Sequence, residues 1–181
     1  MDLTQASDVE LVEALASGDA TALAEFNRRY HDRMLLLAKR VLGQHDGAED
    51  VVQEAYLRLH RSADRYRPTA RFSTWLYRIV LNLCRDRLRQ VRRRPLELKI
   101  DAPDKADSQP AVRLEKSETA LRIRQAVQAL PERQRIAFVL HRYRRQSHQE
   151  IARSTGWSTS AIESLLSRAY QRLRDSLRDL V

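Results

Sequence analysis

Apolar residues recur along this chain at steps of three and four, and no segment shows sustained strand alternation with hairpin turn signals. The pattern predicts an all-α fold. Ser7 with Glu10 makes a capping box for a short helix ending near Gly18, and Asp19 then caps a long helix through "ATALAEFNRRYHDRMLLLAKRVL", stopped by Gly43. The next helix starts around Asp46 and runs to about Arg61, with Ala48, Val51, Val52, Ala55 and Leu59 as its buried stripe. A loop, "SADRYRPTA", follows, in which Pro68 disfavours helix at Arg67. Beyond it "RFSTWLYRIVLNLCRDRLRQVRRR" carries an apolar stripe of Phe72, Leu76, Ile79, Leu83, Leu88 and Val91.

Apolar periodicity lapses after Arg94, where Pro95, Pro103 and Pro110 fall among several acids. The expected organisation is two small helical domains, 1–94 (a helical bundle) and 114–181, joined by a flexible linker at 95–113. In the second domain "AVRLEKSETALRIRQAVQAL" is helical, with Leu114, Ala120, Leu121, Ile123 and Val127 on roughly one side, and Pro131 fits the first turn of "PERQRIAFVLHRYR". Ser147 and Glu150 form a second capping box opening "HQEIARST", Gly156 closes it, and Ser158 caps the last helix. A short helix, a glycine turn and a longer helix make a helix-turn-helix outline, with Ile151, Ala152, Trp157, Ile162, Leu165 and Leu166 as its shared core.

Charge narrows the partners. The net charge of +9 points to polyanions, nucleic acid first and an anionic membrane surface second. Only four of the 33 basic residues are lysine, namely Lys39, Lys99, Lys105 and Lys116. Arginine's planar fork suits phosphate and base edges, although GC-rich coding enriches it equally well.

On the helix from Arg71, Arg78, Asn82, Arg85, Arg89 and Arg92 recur at steps of four and three, a cationic face interrupted by one amide. Such a row can track a phosphate backbone, and Trp75 and Tyr77, beside Tyr66 in the loop, can stack on unpaired bases; core packing is the rival role for Trp75 and Phe72. On the last helix Ser158, Thr159, Ser160, Glu163, Ser164, Ser167, Arg168 and Arg172 are candidates for a groove-facing side. Glu163 needs a cytosine amino group or an arginine to tolerate phosphates.

Asp46, Glu49, Asp50, Gln53 and Glu54 concentrate acid at the start of the third helix. The helix dipole accounts for Asp46, Glu49 and Asp50, but Glu54 lies beyond its first turn. An acidic patch on a basic protein would repel DNA and suits a basic protein surface.

Taken together, "DGAEDVVQEAYLRLHR", "RFSTWLYRIVLNLCRDRLRQVRRR" and "LPERQRIAFVLHRYRRQSHQEIARSTGWSTSAIESLLSRAYQRLR" resemble, in that order, regions 2.2, 2.3–2.4 and 4 of the extracytoplasmic-function (group IV) sigma factors of the bacterial sigma-70 family. The resemblance spans nearly the whole chain. It implies an alternative sigma factor that binds core RNA polymerase and directs promoter-specific transcription initiation. By resemblance, Asp46, Glu49, Asp50, Gln53 and Glu54 dock on the clamp helices of the largest polymerase subunit. Tyr66, Arg67, Arg71, Trp75, Tyr77, Arg78, Asn82, Arg85 and Arg89 open the −10 element and hold a flipped base, and the helix from Thr159 reads the −35 element. The resemblance also implies an anti-sigma factor, often membrane-anchored in this family. Two departures stand out: "AIESLL" replaces a "TVKSRL"-like run, and Trp157 is bulkier than the small aliphatic residue common at that turn.

The rival reading is a two-domain helix-turn-helix regulator that does not engage polymerase. Catalysis is not expected: Gly18, Gly43, Gly47 and Gly156 form no phosphate loop, and the five histidines show no metal-ligand spacing. No cofactor or metal is expected, and Cys84 reads as a buried apolar side chain. Without an eighteen-residue apolar run or a signal-peptide pattern, a cytoplasmic protein is expected.

Overall fold

The computed structural model describes residues 3–43, 46–69, 71–93 and 112–180, and holds no strand among them. Its helices are α1 (Asp8–Ala16), α2 (Ala20–Leu42), α3 (Ala48–Ser62), α4 (Phe72–Arg93), α5 (Val112–Gln128), α6 (Glu132–Arg144), α7 (His148–Thr155) and α8 (Thr159–Ser176). Most of the linker expected at 95–113 lies outside the described residues.

The capping residues act as their positions predict. Ser7 Oγ accepts from the Glu10 amide at 3.3 Å, and Glu10 returns the contact by accepting from the Ser7 amide at 2.7 Å. Asp19 accepts from the Thr21 amide at 2.8 Å, and Ser147 and Glu150 repeat the reciprocal box at α7.

Two boundaries differ from expectation. α3 begins at Ala48 rather than near Asp46, because Gly47 takes a left-handed φ of 105° that no helix interior permits. A side chain there would also collide with Arg87, whose Nε lies 2.9 Å from where a Cβ would sit. Pro131 stands just outside α6 as its N-cap, with an extended ψ of 142°.

The first domain closes around Phe26, Met34, Leu37, Leu59, Leu76 and Leu81, all fully buried. α4 buries a broader arc than the expected stripe. Tyr77, Val80, Leu81 and Cys84 are inside, whereas Ile79 and Val91 are half-buried. The cause is a second packing partner: α4 contacts α2 and α3 on one side and α7 of the other domain on another. Cys84 is fully buried and burial pushes its thiol up to about 12, as its apolar reading requires.

In the second domain α6 and α7 pack on α8 around Ile136, Leu140, Ile151 and Ile162. Gly156 makes the turn between α7 and α8 with φ 75°, its amide donating to the Ala152 carbonyl at 2.8 Å. Ile151, Ile162 and Leu166 form the shared core, with Ala152, Trp157 and Leu165 half-buried at its edge.

α5 corrects the sequence pattern. Leu121 and Ile123 are exposed, and burial falls on Ala126, Val127 and Leu130. Arg122 reaches Asp179 at 3.4 Å from the middle of the helix, but the Leu121 and Ile123 side chains beside it stay exposed. The Leu114 side chain lies outside those described.

Candidate functional site

The acidic start of α3 is on the surface. Asp46, Glu49, Asp50 and Gln53 are exposed, while Glu54 is half-buried and accepts from Arg58 Nε at 3.1 Å. Asp50 lies 4.0 Å from Arg87 Nη2, and the Arg87 guanidinium lies against Gly47. The carboxylates gather where the free amides of the first turn favour negative charge, and they remain available to a cationic partner surface.

Along α4, Arg78, Asn82 and Arg89 are exposed in a row, with Arg89 pairing to Asp86 one turn back. Arg67 and Arg71 are exposed beside the entry to the helix. The aromatics sit differently from the sequence expectation. Trp75 is half-buried, with its ring 4.9 Å from that of Tyr66 and 5.7 Å from that of Phe72. Tyr66 and Tyr77 are buried, at 9% and 5% exposure, so neither offers a free face to a base. Tyr77 stands three residues before Val80 and four before Leu81, which turns it onto the buried arc of α4, and Arg144 lies over its ring at 5.3 Å.

Arg85 is the member of the row that the sequence does not place correctly. It is half-buried under the second domain, with its guanidinium 4.9 Å from the centre of the Trp157 ring and Nη1 3.4 Å from the Thr155 carbonyl. Its Nη2 is buried without a hydrogen-bond partner among the described residues, and burial lowers its pKa.

On α8 the candidates line up as exposed side chains: Thr159, Ser160, Glu163, Ser164, Ser167, Arg168 and Arg172. Ser158 caps the helix by accepting from the Ala161 amide at 3.2 Å. Glu163 has a partner that the sequence did not suggest, His148 Nδ1 at 3.6 Å. His141, close to His148, has its pKa lowered, first by burial and then by the His148 and Arg142 charges.

Sequence reasoning missed the residues between the domains. Arg135 donates from Nε to the Val41 carbonyl at 3.0 Å and from Nη1 to the Gln128 carbonyl at 2.7 Å. Arg144 donates to the Arg33 carbonyl, and Arg40 stacks over Tyr143 at 3.5 Å. Arg71 faces Glu150 at 3.7 Å across a cleft of about 640 Å³ that His141, Arg142 and Arg145 also line. Arg145 itself holds a left-handed φ of 52°, so that the next amide, Gln146, reaches the Leu140 carbonyl at 3.2 Å. Arginines beside apolar helix positions were the only available signal, and they are indistinguishable by sequence from solvent-facing ones.

Residues 26–94 match Sigma-70 region 2 and residues 120–173 match Sigma-70 region 4. The chain is 35% identical over 167 residues to the ECF RNA polymerase sigma factor SigM of Mycobacterium tuberculosis, covering 92% of this chain and 83% of that protein. It is an extracytoplasmic-function sigma factor of the sigma-70 family. SigW of Bacillus subtilis is 30% identical over 184 residues, with 93% of this chain and 96% of SigW covered. Among solved structures, CnrH in complex with the cytosolic domain of CnrY superposes with a TM-score of 0.68 at 28% identity, covering 95% of this chain and 97% of CnrH. The sigma factor RpoE of Bartonella quintana, in complex with the anti-sigma factor NepR, shares the fold with a TM-score of 0.63.

As a member of this family the sigma factor binds core RNA polymerase and promoter DNA and directs promoter-specific initiation, which sets aside a regulator that never engages polymerase. The family is one of transcription factors and not of enzymes. No described helix is long and apolar enough to cross a membrane.

Proposed function

We propose that this alternative sigma factor divides its work by domain, with residues 1–94 binding polymerase and the −10 element and residues 114–181 reading the −35 element. Asp46, Glu49, Asp50, Gln53 and Glu54 dock on the basic clamp helices of the largest subunit. Arg67, Arg71, Arg78, Asn82, Arg85 and Arg89 follow the −10 strand, Trp75 stacks on an unpaired base, and Tyr66 and Tyr77 hold that surface from beneath. Ser158, Thr159, Ser160, Glu163, Ser164, Ser167, Arg168 and Arg172 face the −35 groove.

The observation that carries this reading is the exposure of Arg78, Asn82 and Arg89 in one row on α4, the helix whose first turn carries the Phe72–Trp75 aromatic cluster. Cations beside aromatic rings suit a single strand better than a closed duplex. An anti-sigma factor with a membrane anchor is the expected regulator. Its support is that CnrH and RpoE were both solved bound to partner proteins, one of them a cytosolic domain. The site of action is the cytoplasm, where core polymerase works.

Run-off transcription with core polymerase on a random promoter library is the direct test. A selected pair of −10 and −35 sequences is the expected result, and transcription without promoter selection would overturn the reading.

A further inference from the structure

We propose that Trp157 is an internal latch: it closes the helix-turn-helix domain onto Arg85 of α4, so that the free sigma factor masks part of its own −10 surface without any partner protein. The proposal rests on the assignment of Arg71 and Arg85 to the −10 strand.

Two guanidinium groups lie over the Trp157 ring, Arg85 from the first domain at 4.9 Å and Arg133 from its own domain at 4.7 Å. Two cations over one indole make a directional contact that a small aliphatic residue at this turn could not supply. Around it the seam is polar and extensive. Arg85 reaches the Thr155 carbonyl, Arg71 faces Glu150, and Arg92 donates to Glu132 at 2.8 Å. Arg135 and Arg144 join α6 to the carbonyls of α2. One cation assigned to the −10 strand, Arg85, is thus half-buried against the end of α7, while Arg71 stays exposed and only faces Glu150.

Dimensions exclude this arrangement from promoter recognition. The −10 and −35 elements are about 25 base pairs apart, or roughly 85 Å of duplex at 3.4 Å per base pair. A compact chain of 181 residues has a radius of gyration of about 16 Å, far too small to reach both at once. The domains must part before both elements are read.

The latch is also built to release. Arg85 Nη2 is buried with no hydrogen-bond partner among the described residues, and the residue is desolvated. A guanidinium with an unmet donor gains by exchanging the seam for a phosphate. Trp157 immediately precedes Ser158, the N-cap of the reading helix α8, so closure of the seam and the entry to α8 share one turn of chain.

The test uses the full chain without polymerase, as wild type, Trp157→Ala, Trp157→Phe and the double variant Arg135→Ala/Arg144→Ala. Small-angle scattering reports the separation of the domains, and titration with a fluorescent single-stranded −10 oligonucleotide reports access to α4. Wild type is expected to be compact. Trp157→Ala should expand by several ångströms and bind the oligonucleotide about tenfold more tightly, the ratio expected for losing one desolvated cation–π contact from a closed state. Trp157→Phe should restore most of the compaction. If Trp157→Ala does not fold, the double variant decides by the same two readings. Unchanged scattering in the folded variants overturns the latch, and expansion without tighter binding overturns the masking. Open-complex formation by Arg85→Ala with core polymerase tests the −10 assignment separately: a normal rate there removes that assignment while the scattering result still stands for the latch.

Discussion

The ring of Phe72, the first residue of α4, stacks on Phe26 of α2 with centroids 4.9 Å apart and planes at 27°. Tyr30, Tyr66 and Trp75 surround Phe72 within 5.8 Å, which fixes the start of the helix that carries the cationic row. Phe26→Ala should therefore cost about 3–5 kcal/mol by denaturant unfolding. It should also weaken −10 binding in the fraction that stays folded. A loss below about 1 kcal/mol would mean that this cluster does not anchor α4.

Polymerase association should depend on charge at the start of α3. Glu49→Lys, Asp50→Lys and Glu54→Lys together are expected to reduce co-purification with core enzyme at least about tenfold, since like charges facing each other across an interface cost several kcal/mol. Unchanged co-purification would remove the acidic patch from the docking surface.

Replacing Arg85 and Arg89 by alanine should slow open-complex formation while shifting the stability of the first domain itself by less than about 1 kcal/mol, because neither guanidinium belongs to its apolar core. Permanganate footprinting of the −10 region, alongside thermal unfolding, separates the two effects. A fall in stability with promoter melting unchanged would make these arginines structural.

For the −35 surface, Arg168→Ala should weaken binding of the polymerase-bound factor to −35 duplex and reduce the slope of log affinity against log salt by about 1, the signature of one lost phosphate contact. If instead the salt slope holds and preference changes at one base pair, Arg168 reads a base edge.

Glu25 supplies a pH dependence. Buried and hydrogen-bonded first by Arg28 and then by Arg29, its carboxyl is lowered from an ordinary 4.5 to about 2. A carboxyl lowered in the folded state binds its proton more readily when unfolded. Its contribution is therefore complete above pH 4.5 and is lost as pH falls from there towards 2. Melting temperatures of wild type and Glu25→Gln should differ most near neutrality and converge in acid. Parallel curves across that range would show that the carboxylate contributes nothing through its charge.

Much of the helix map was legible in the chain. Ser7, Asp19, Ser147 and Ser158 cap helices within three residues of themselves, and Gly43 and Gly156 end them through positive φ angles. These are local events set by neighbouring residues. The exposed members of the rows proposed to face DNA, Arg78, Asn82 and Arg89 on α4 and Glu163, Ser167 and Arg168 on α8, follow from the same helical periodicity.

Burial of Tyr66 and Tyr77 was not legible, because an aromatic residue next to arginines has the same sequence signature whether its ring faces a base or a core. Exposure of Leu121 and Ile123 was hidden for the opposite reason: a helix can carry apolar residues that its neighbours do not reach.

The sequence by itself determined eight helices in their order, the caps that bound most of them, the separation into two domains and the family to which the chain belongs. Only the tertiary structure decided which cations are free and which are held. Arg85 and the Thr155 carbonyl are 70 residues apart, and Arg135 and Val41 are 94 apart. Helical periodicity carries information over a few turns, whereas contact between domains depends on how two finished surfaces meet.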